Sequence, residues 1–146
     1  MAHGFRVTIW LTGCHFHCFG CFNEHLWSFN VGKPVTQEVY DKIRRELMNP
    51  KHAGLTILGG EPMCDENKDT TRELIRIARE CGKDVWVYTG YYMEELTPEQ
   101  RDIIDDADVV IDGRFELACK DISLKWKGSS NQRLWAKPHG LWQVVG

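Results

Sequence analysis

The chain has 146 residues, of which 42% are apolar and 27% charged, and its net charge is −3. That length suggests one domain over 1–146, able to bury roughly 70% of the surface its unfolded form exposes. The mixed charge leaves no footprint for nucleic acid and no polybasic membrane anchor, and no apolar run is long enough to cross a bilayer.

The opening "MAHGFRV" lacks the apolar stretch of a signal peptide, so a cytoplasmic protein is expected. Residues 5–12, "FRVTIWLT", are rich in β-branched and aromatic side chains and read as a strand. A loop with three cysteines follows. Thr36 is a fair N-cap, and Val39, Tyr40, Ile43 and Leu47 recur at helical spacing. They predict a helix over 37–48 that stops at Asn49-Pro50. "GLTIL" (54–58) reads as a short buried strand running into "GGEP". Leu74, Ile77, Ala78 and Cys81 share one face of a helix over 69–81, closed by Gly82. "DVWVY" (84–88) is the third strand. Thr97, Pro98 and Gln100 combine an N-cap, a first-turn proline and a capping-box glutamine, and start a helix that ends near Asp105. "DVVID" (108–112) is the fourth strand. Beyond Gly113 the alternation breaks: "KGSSNQR" (127–133) is loop-like, and "RLWAKPHGLWQVV" (133–145) reads as a closing β-hairpin.

Strands alternating with helices predict an α/β fold with parallel strands and right-handed crossovers, the sheet open or curved as a partial (β/α) barrel. Ligands in such folds gather at the C-terminal ends of the strands. Those ends carry the cysteine loop, Gly59-Gly60-Glu61-Pro62, Tyr88-Thr89-Gly90 and Asp112-Gly113.

Cys14, Cys18 and Cys21 are half of the six cysteines. In a reducing compartment clustered cysteines bind metal or do redox chemistry more often than they form disulfides. A non-enzymatic Cys3His zinc-binding module would draw its fourth ligand from His15, His17 or His25. An iron–sulfur cubane held by three thiolates would leave one iron open for a substrate or cofactor. A small electron carrier would close the site with Cys64, Cys81 or Cys119. Spacing favours the open cluster and leaves the other two standing.

The pattern C-x3-C-x2-C after a first strand, with "GGEP" after a second, resembles the radical S-adenosylmethionine superfamily. "TGCHFHCFGCFN" (12–23), "LGGEP" (58–62), "DVWVYTGY" (84–91), "VVIDGRF" (109–115) and "KGSSNQRLW" (127–135) are together similar to the activating proteins of anaerobic ribonucleoside-triphosphate reductases. The resemblance implies a partial (β/α) barrel of the radical S-adenosylmethionine type with a C-terminal β-hairpin. It implies a 4Fe-4S cluster on Cys14, Cys18 and Cys21, with S-adenosyl-L-methionine chelating the fourth iron. Gly59, Gly60 and Glu61 match the motif that holds the methionine amino group. Gly20, Cys21 and Phe22 match positions along the adenosyl part, and Gly20 stands where many superfamily members carry an aromatic ring. Thr89 is a weaker candidate for the cofactor's polar groups. The implied activity is reductive cleavage of S-adenosylmethionine and removal of a hydrogen atom from a glycine of the anaerobic reductase's large subunit. Reduced flavodoxin or ferredoxin is the implied electron donor. An activase of another glycyl-radical enzyme, of the pyruvate formate-lyase type, is the alternative within the class.

Among other residues, Asp112 and Arg114 read as turn residues or as contacts to cofactor or partner. Trp126, Trp135 and Trp142 read as hairpin packing or as a partner surface. His15 and His17 read as loop filling, Cys64 as a small thiol near the pocket, and Cys81 as core.

Overall fold

The computed structural model describes residues 5–146, and the reading of the N-terminal Met1, Ala2, His3 and Gly4 lies outside them. Four strands run parallel in chain order: β1 (Phe5–Leu11), β2 (His52–Gly59), β3 (Asp84–Tyr88) and β4 (Val109–Asp112). Helices α1 (Gln37–Leu47), α2 (Lys68–Glu80) and α3 (Pro98–Ile104) connect them. Strands β5 (Arg133–Ala136) and β6 (Gln143–Val144) form the closing hairpin, and β5 lies antiparallel on β4. The sheet is therefore mixed, in the order β1-β2-β3-β4-β5-β6. Among the described residues no helix is long and apolar enough to cross a membrane.

The helix ends follow their local chemistry. The Thr36 hydroxyl accepts from the Val39 N–H at 3.4 Å. At α3 the capping is reciprocal: Thr97 Oγ1 accepts from the Gln100 N–H at 3.2 Å, and Gln100 Oε1 from the Thr97 N–H at 2.9 Å. Gly82 ends α2 at φ +70°, and the Lys83 N–H behind it donates to the Ala78 carbonyl at 2.9 Å.

Side chains alternate across the sheet. Val7, Ile9, Leu55, Ile57, Val85, Val87 and Val110 face the side where Ile43, Leu47, Leu74, Ile77 and Ile104 from the three helices pack as one core. Each such aliphatic side chain contributes about 1.5–3 kcal/mol on burial. The other face is different. Trp86, Val109, Ile111 and Leu134 form a second cluster, and Trp126 meets the Trp86 ring edge-on with centroids 5.3 Å apart. Trp126 belongs to a long excursion, residues 113–132, that leaves β4 and returns as β5. Its neck is the cross-strand pair Asp112 and Arg133. Asp112 is fully buried and accepts from Arg133 Nη2 at 2.6 Å, Arg133 Nε at 3.1 Å and the Met93 N–H at 2.8 Å. Burial of the charge is supported by those donors.

Candidate functional site

The carboxyl ends of β1 to β4 surround a cavity of about 210 Å³ on the face turned away from the helices. Leu58, Tyr88 and Ile111, each one residue beyond a core-facing side chain, form its floor. Cys14, Cys18 and Cys21 line one wall, Gly59, Gly60 and Glu61 a second, and Gly113, Arg114, Phe115, Gly128 and Gln132 a third. The four strand-end segments singled out in the sequence therefore meet around one space.

The cysteine loop is closed at its base. The Gly13 N–H donates to the Leu26 carbonyl at 2.7 Å and the Cys14 N–H to the Trp27 carbonyl at 3.0 Å. A tight turn joins the second and third cysteines, with the Cys21 N–H donating to the Cys18 carbonyl at 3.0 Å and Gly20 at φ +75°. Asn23 ties this turn to the next strand. Its backbone N–H donates to Cys21 Sγ at 3.4 Å and its Nδ2 to the Gly59 carbonyl at 3.2 Å. Donors of this kind stabilise and orient a ligating thiolate. Burial pushes the Cys14 and Cys18 thiols above their ordinary range, the direction a bound metal reverses.

The glycine turn continues the β1–β2 pairing. The Gly60 N–H donates to the Leu11 carbonyl at 2.9 Å and the Glu61 N–H to the Gly13 carbonyl at 2.7 Å. A Cβ on Gly59 would lie 2.1 Å from the Leu11 carbonyl oxygen, and one on Gly60 2.4 Å from that of Gly13. The glycines thus let the base of the cysteine loop lie directly against the turn. Glu61 is buried, and its carboxylate is held by three donors: Thr89 Oγ1 at 2.6 Å, the Gly90 N–H at 2.6 Å and the Met63 N–H at 2.8 Å. Burial outweighs those donors and raises its pKa to about 7. Thr89 is buried too, with its hydroxyl committed to Glu61.

The wall carries three thiols, the donor type that iron–sulfur clusters take. Cys64, Cys81 and Cys119 do not line the cavity, and Cys64 is buried with its Sγ donating to the Glu61 carbonyl at 3.2 Å. Burial raises the Cys64 thiol to about 11. The histidines a zinc module would need point elsewhere. His15 pairs with Glu66 at 2.7 Å, His17 stacks on Trp27 at 4.6 Å, and neither they nor His25 line the cavity. Among the described residues no three metal-ligating side chains are gathered tightly around one point.

Phe22 is exposed at the rim, its ring 4.9 Å from that of Phe115. Arg114 is the cation on the wall, bonded to Glu95 at 3.1 Å and lying over the rings of Phe16 and Tyr92. The "GSSNQ" segment turns its amides inward: Gln132 Oε1 accepts from the Gly128 and Ser129 N–H groups, and its Nε2 donates to the Gly113 carbonyl at 3.0 Å. Asn131 Nδ2 donates to Tyr92 Oη at 2.8 Å and to the Arg114 carbonyl at 2.7 Å. That segment thus braces the third wall. Of the tryptophans, Trp142 donates from Nε1 to Asp105 at 2.9 Å and Trp126 packs on Trp86, so both have roles inside the fold. Sequence reasoning gave no role to Phe16 or Asn23, and it placed Gly90 only as part of the strand-end segment Tyr88-Thr89-Gly90. Asn23 alone carried a signal, as the polar residue closing the cysteine motif.

Residues 2–135 match the family described as a 4Fe-4S single cluster domain. The chain is 41% identical over 133 residues to the anaerobic ribonucleoside-triphosphate reductase-activating protein of Salmonella typhimurium, covering 88% of this chain and 86% of the relative. The protein of that name from Escherichia coli strain K12 matches at the same identity and coverage. Its counterpart in Enterobacteria phage T4 is 35% identical over 144 residues, 96% of this chain and 89% of the relative.

Proposed function

The chain belongs to the anaerobic ribonucleoside-triphosphate reductase-activating proteins, and from that premise we propose that it is a radical S-adenosylmethionine enzyme that activates such a reductase. The observation that carries the reading is the cavity wall: three thiols, a glycine–glycine–glutamate turn, and no fourth cysteine beside them. A reduced 4Fe-4S cluster held by Cys14, Cys18 and Cys21 would supply the single electron for reductive cleavage of S-adenosylmethionine, and through it the removal of a hydrogen atom from a glycine Cα of the reductase.

The chain's own residues hold and orient. Cys14, Cys18 and Cys21 ligate the cluster, and Asn23 steadies Cys21 through its amide. Gly59 and Gly60 present backbone to the methionine end of the cofactor and Phe22 borders its adenosyl end, whereas Gly20, matched to that end in the sequence, lies off the cavity lining and faces Leu117. Glu61 works through its neighbours: its carboxylate holds Thr89 and Gly90 and so keeps the β2 and β3 ends in register. Leu58, Ile111 and Tyr88 keep water from the floor. The open mouth suits a glycine carried on another protein. Strands in the order β1-β2-β3-β4 with α1, α2 and α3 on one face support a curved, partial barrel with the cavity on its concave side. The electron comes from reduced flavodoxin or ferredoxin in the cytoplasm.

Anaerobic reconstitution with iron and sulfide, followed by EPR of the reduced protein with and without S-adenosylmethionine, tests the reading. A 4Fe-4S signal that shifts on adding the cofactor is the expected result. One zinc per chain and no iron signal would reduce the site to a structural module.

A further inference from the structure

We propose that Gly90 and Phe16 form the joint that fixes the cysteine loop against the glycine–glycine–glutamate turn, making both positioning residues for the thiols. The inference rests on the reading that those thiols hold a cluster.

Gly90 is gripped from three other strand ends. Its N–H donates to Glu61 Oε1, beyond β2, at 2.6 Å. Its carbonyl accepts from Arg114 Nη1, beyond β4, at 3.3 Å. Its Cα lies under Phe16, in the loop beyond β1, so closely that a Cβ would sit 2.7 Å from both Cδ2 and Cε2 of that ring. Gly90 does not have a positive φ, so the demand for glycine here comes from contact.

Phe16 lies between Cys14 and Cys18. Its ring meets Tyr91 edge-on at 4.8 Å, and the Arg114 guanidinium lies 4.9 Å from its centroid. Glu95 grips the edge of that guanidinium, which leaves its face for the ring. Phe16 thereby carries the thiol loop onto the same residue that carries Glu61. Site chemistry is sensitive to displacements of about 1 Å, so a joint here has leverage on the thiols and on the cofactor turn together.

Apoprotein labelling tests the joint without any cluster. Iodoacetamide modification is followed at Cys14 and Cys18 by mass spectrometry, with Cys81 at the end of α2 as the internal reference. In Gly90→Ala the added methyl displaces Phe16, and Cys14 and Cys18 are labelled about tenfold faster while Cys81 is unchanged. Phe16→Ala, which leaves the backbone of Gly90 alone, gives the same pattern. In Gly90→Ala/Phe16→Leu the flexible leucine turns away from the methyl, and labelling returns toward the wild-type rate. Wild-type labelling of Gly90→Ala, acceleration of Cys81 along with the others, or a double variant no better than the single would each overturn the joint. After loading, Gly90→Ala retains its 4Fe-4S signal with a weakened response to S-adenosylmethionine, and the double variant recovers it. A wild-type protein that loads no cluster would refute the function proposed above, while the labelling result stands on its own.

Discussion

The two faces of the sheet are built from the same strands by opposite rules. Ile57, Val87 and Val110 enter a dry aliphatic core, while their neighbours Leu58, Tyr88 and Ile111 floor the cavity. The helix face is held by area, which is non-directional, so volume-conserving exchanges there cost under about 1.5 kcal/mol. The cavity face is held by contacts without slack: backbone against glycine, three donors on one carboxylate, a ring against a Cα. Stability is drawn mainly from one side, and position is kept on the other.

The sharpest way to break that division is Cys18→Ala. Iron and sulfide content after reconstitution should fall to background while circular dichroism stays wild type; full 4Fe-4S content would remove the cysteine from the site. Next comes the core side. Ile57→Ala should cost about 2–5 kcal/mol in denaturant unfolding, because the fully buried position leaves a void. The folded fraction should still load a cluster, and a large cluster defect would show the faces to be coupled.

Glu61 tests the cavity face by pH. Burial raises its carboxyl from 4.5 to about 7, so the folded chain holds this proton more tightly than the unfolded chain. Below about pH 4.5 both states carry the proton and nothing is lost. As the pH climbs through about 7, ionising the buried group removes up to about 3 kcal/mol of stability. The stability of the wild type relative to Glu61→Gln should therefore fall between about pH 5 and pH 7, and a flat difference would mean that the donors fully offset burial. The smallest effect is expected at Thr97→Ala on α3. Loss of the capping box should cost about 1 kcal/mol and leave the EPR of the loaded protein unchanged.

The helices and parallel strands were legible because each announces itself locally: Thr97, Pro98 and Gln100 start α3 where expected, and Gly82 follows α2. Boundaries moved where pairing overrides propensity. β2 begins at His52, ahead of the apolar run, because His52 pairs with Phe5 across an irregular register. The hairpin was legible, but its antiparallel seat on β4 was not, since nothing local says where a hairpin docks. The cysteine and glycine motifs were readable as motifs. The partners of Glu61 were not, because Thr89 and Gly90 lie far along the chain and meet it only when β2 and β3 pair. Phe16 carried no signal for the same reason: the partners of its ring, Tyr91 and Arg114, are distant in sequence.

The neck at Asp112 and Arg133 has an architectural consequence. The 113–132 segment leaves and re-enters the sheet at facing positions, so its length is nearly independent of the rest of the fold. Each doubling of such a loop costs only about 0.6 kcal/mol. Ile122, 90% exposed, marks where residues can be inserted without touching the bracing amides at Asn131 and Gln132. Only the outer reach around Ile122 is free to lengthen, because the ends of the segment form the third wall of the cavity and Trp126 packs on Trp86.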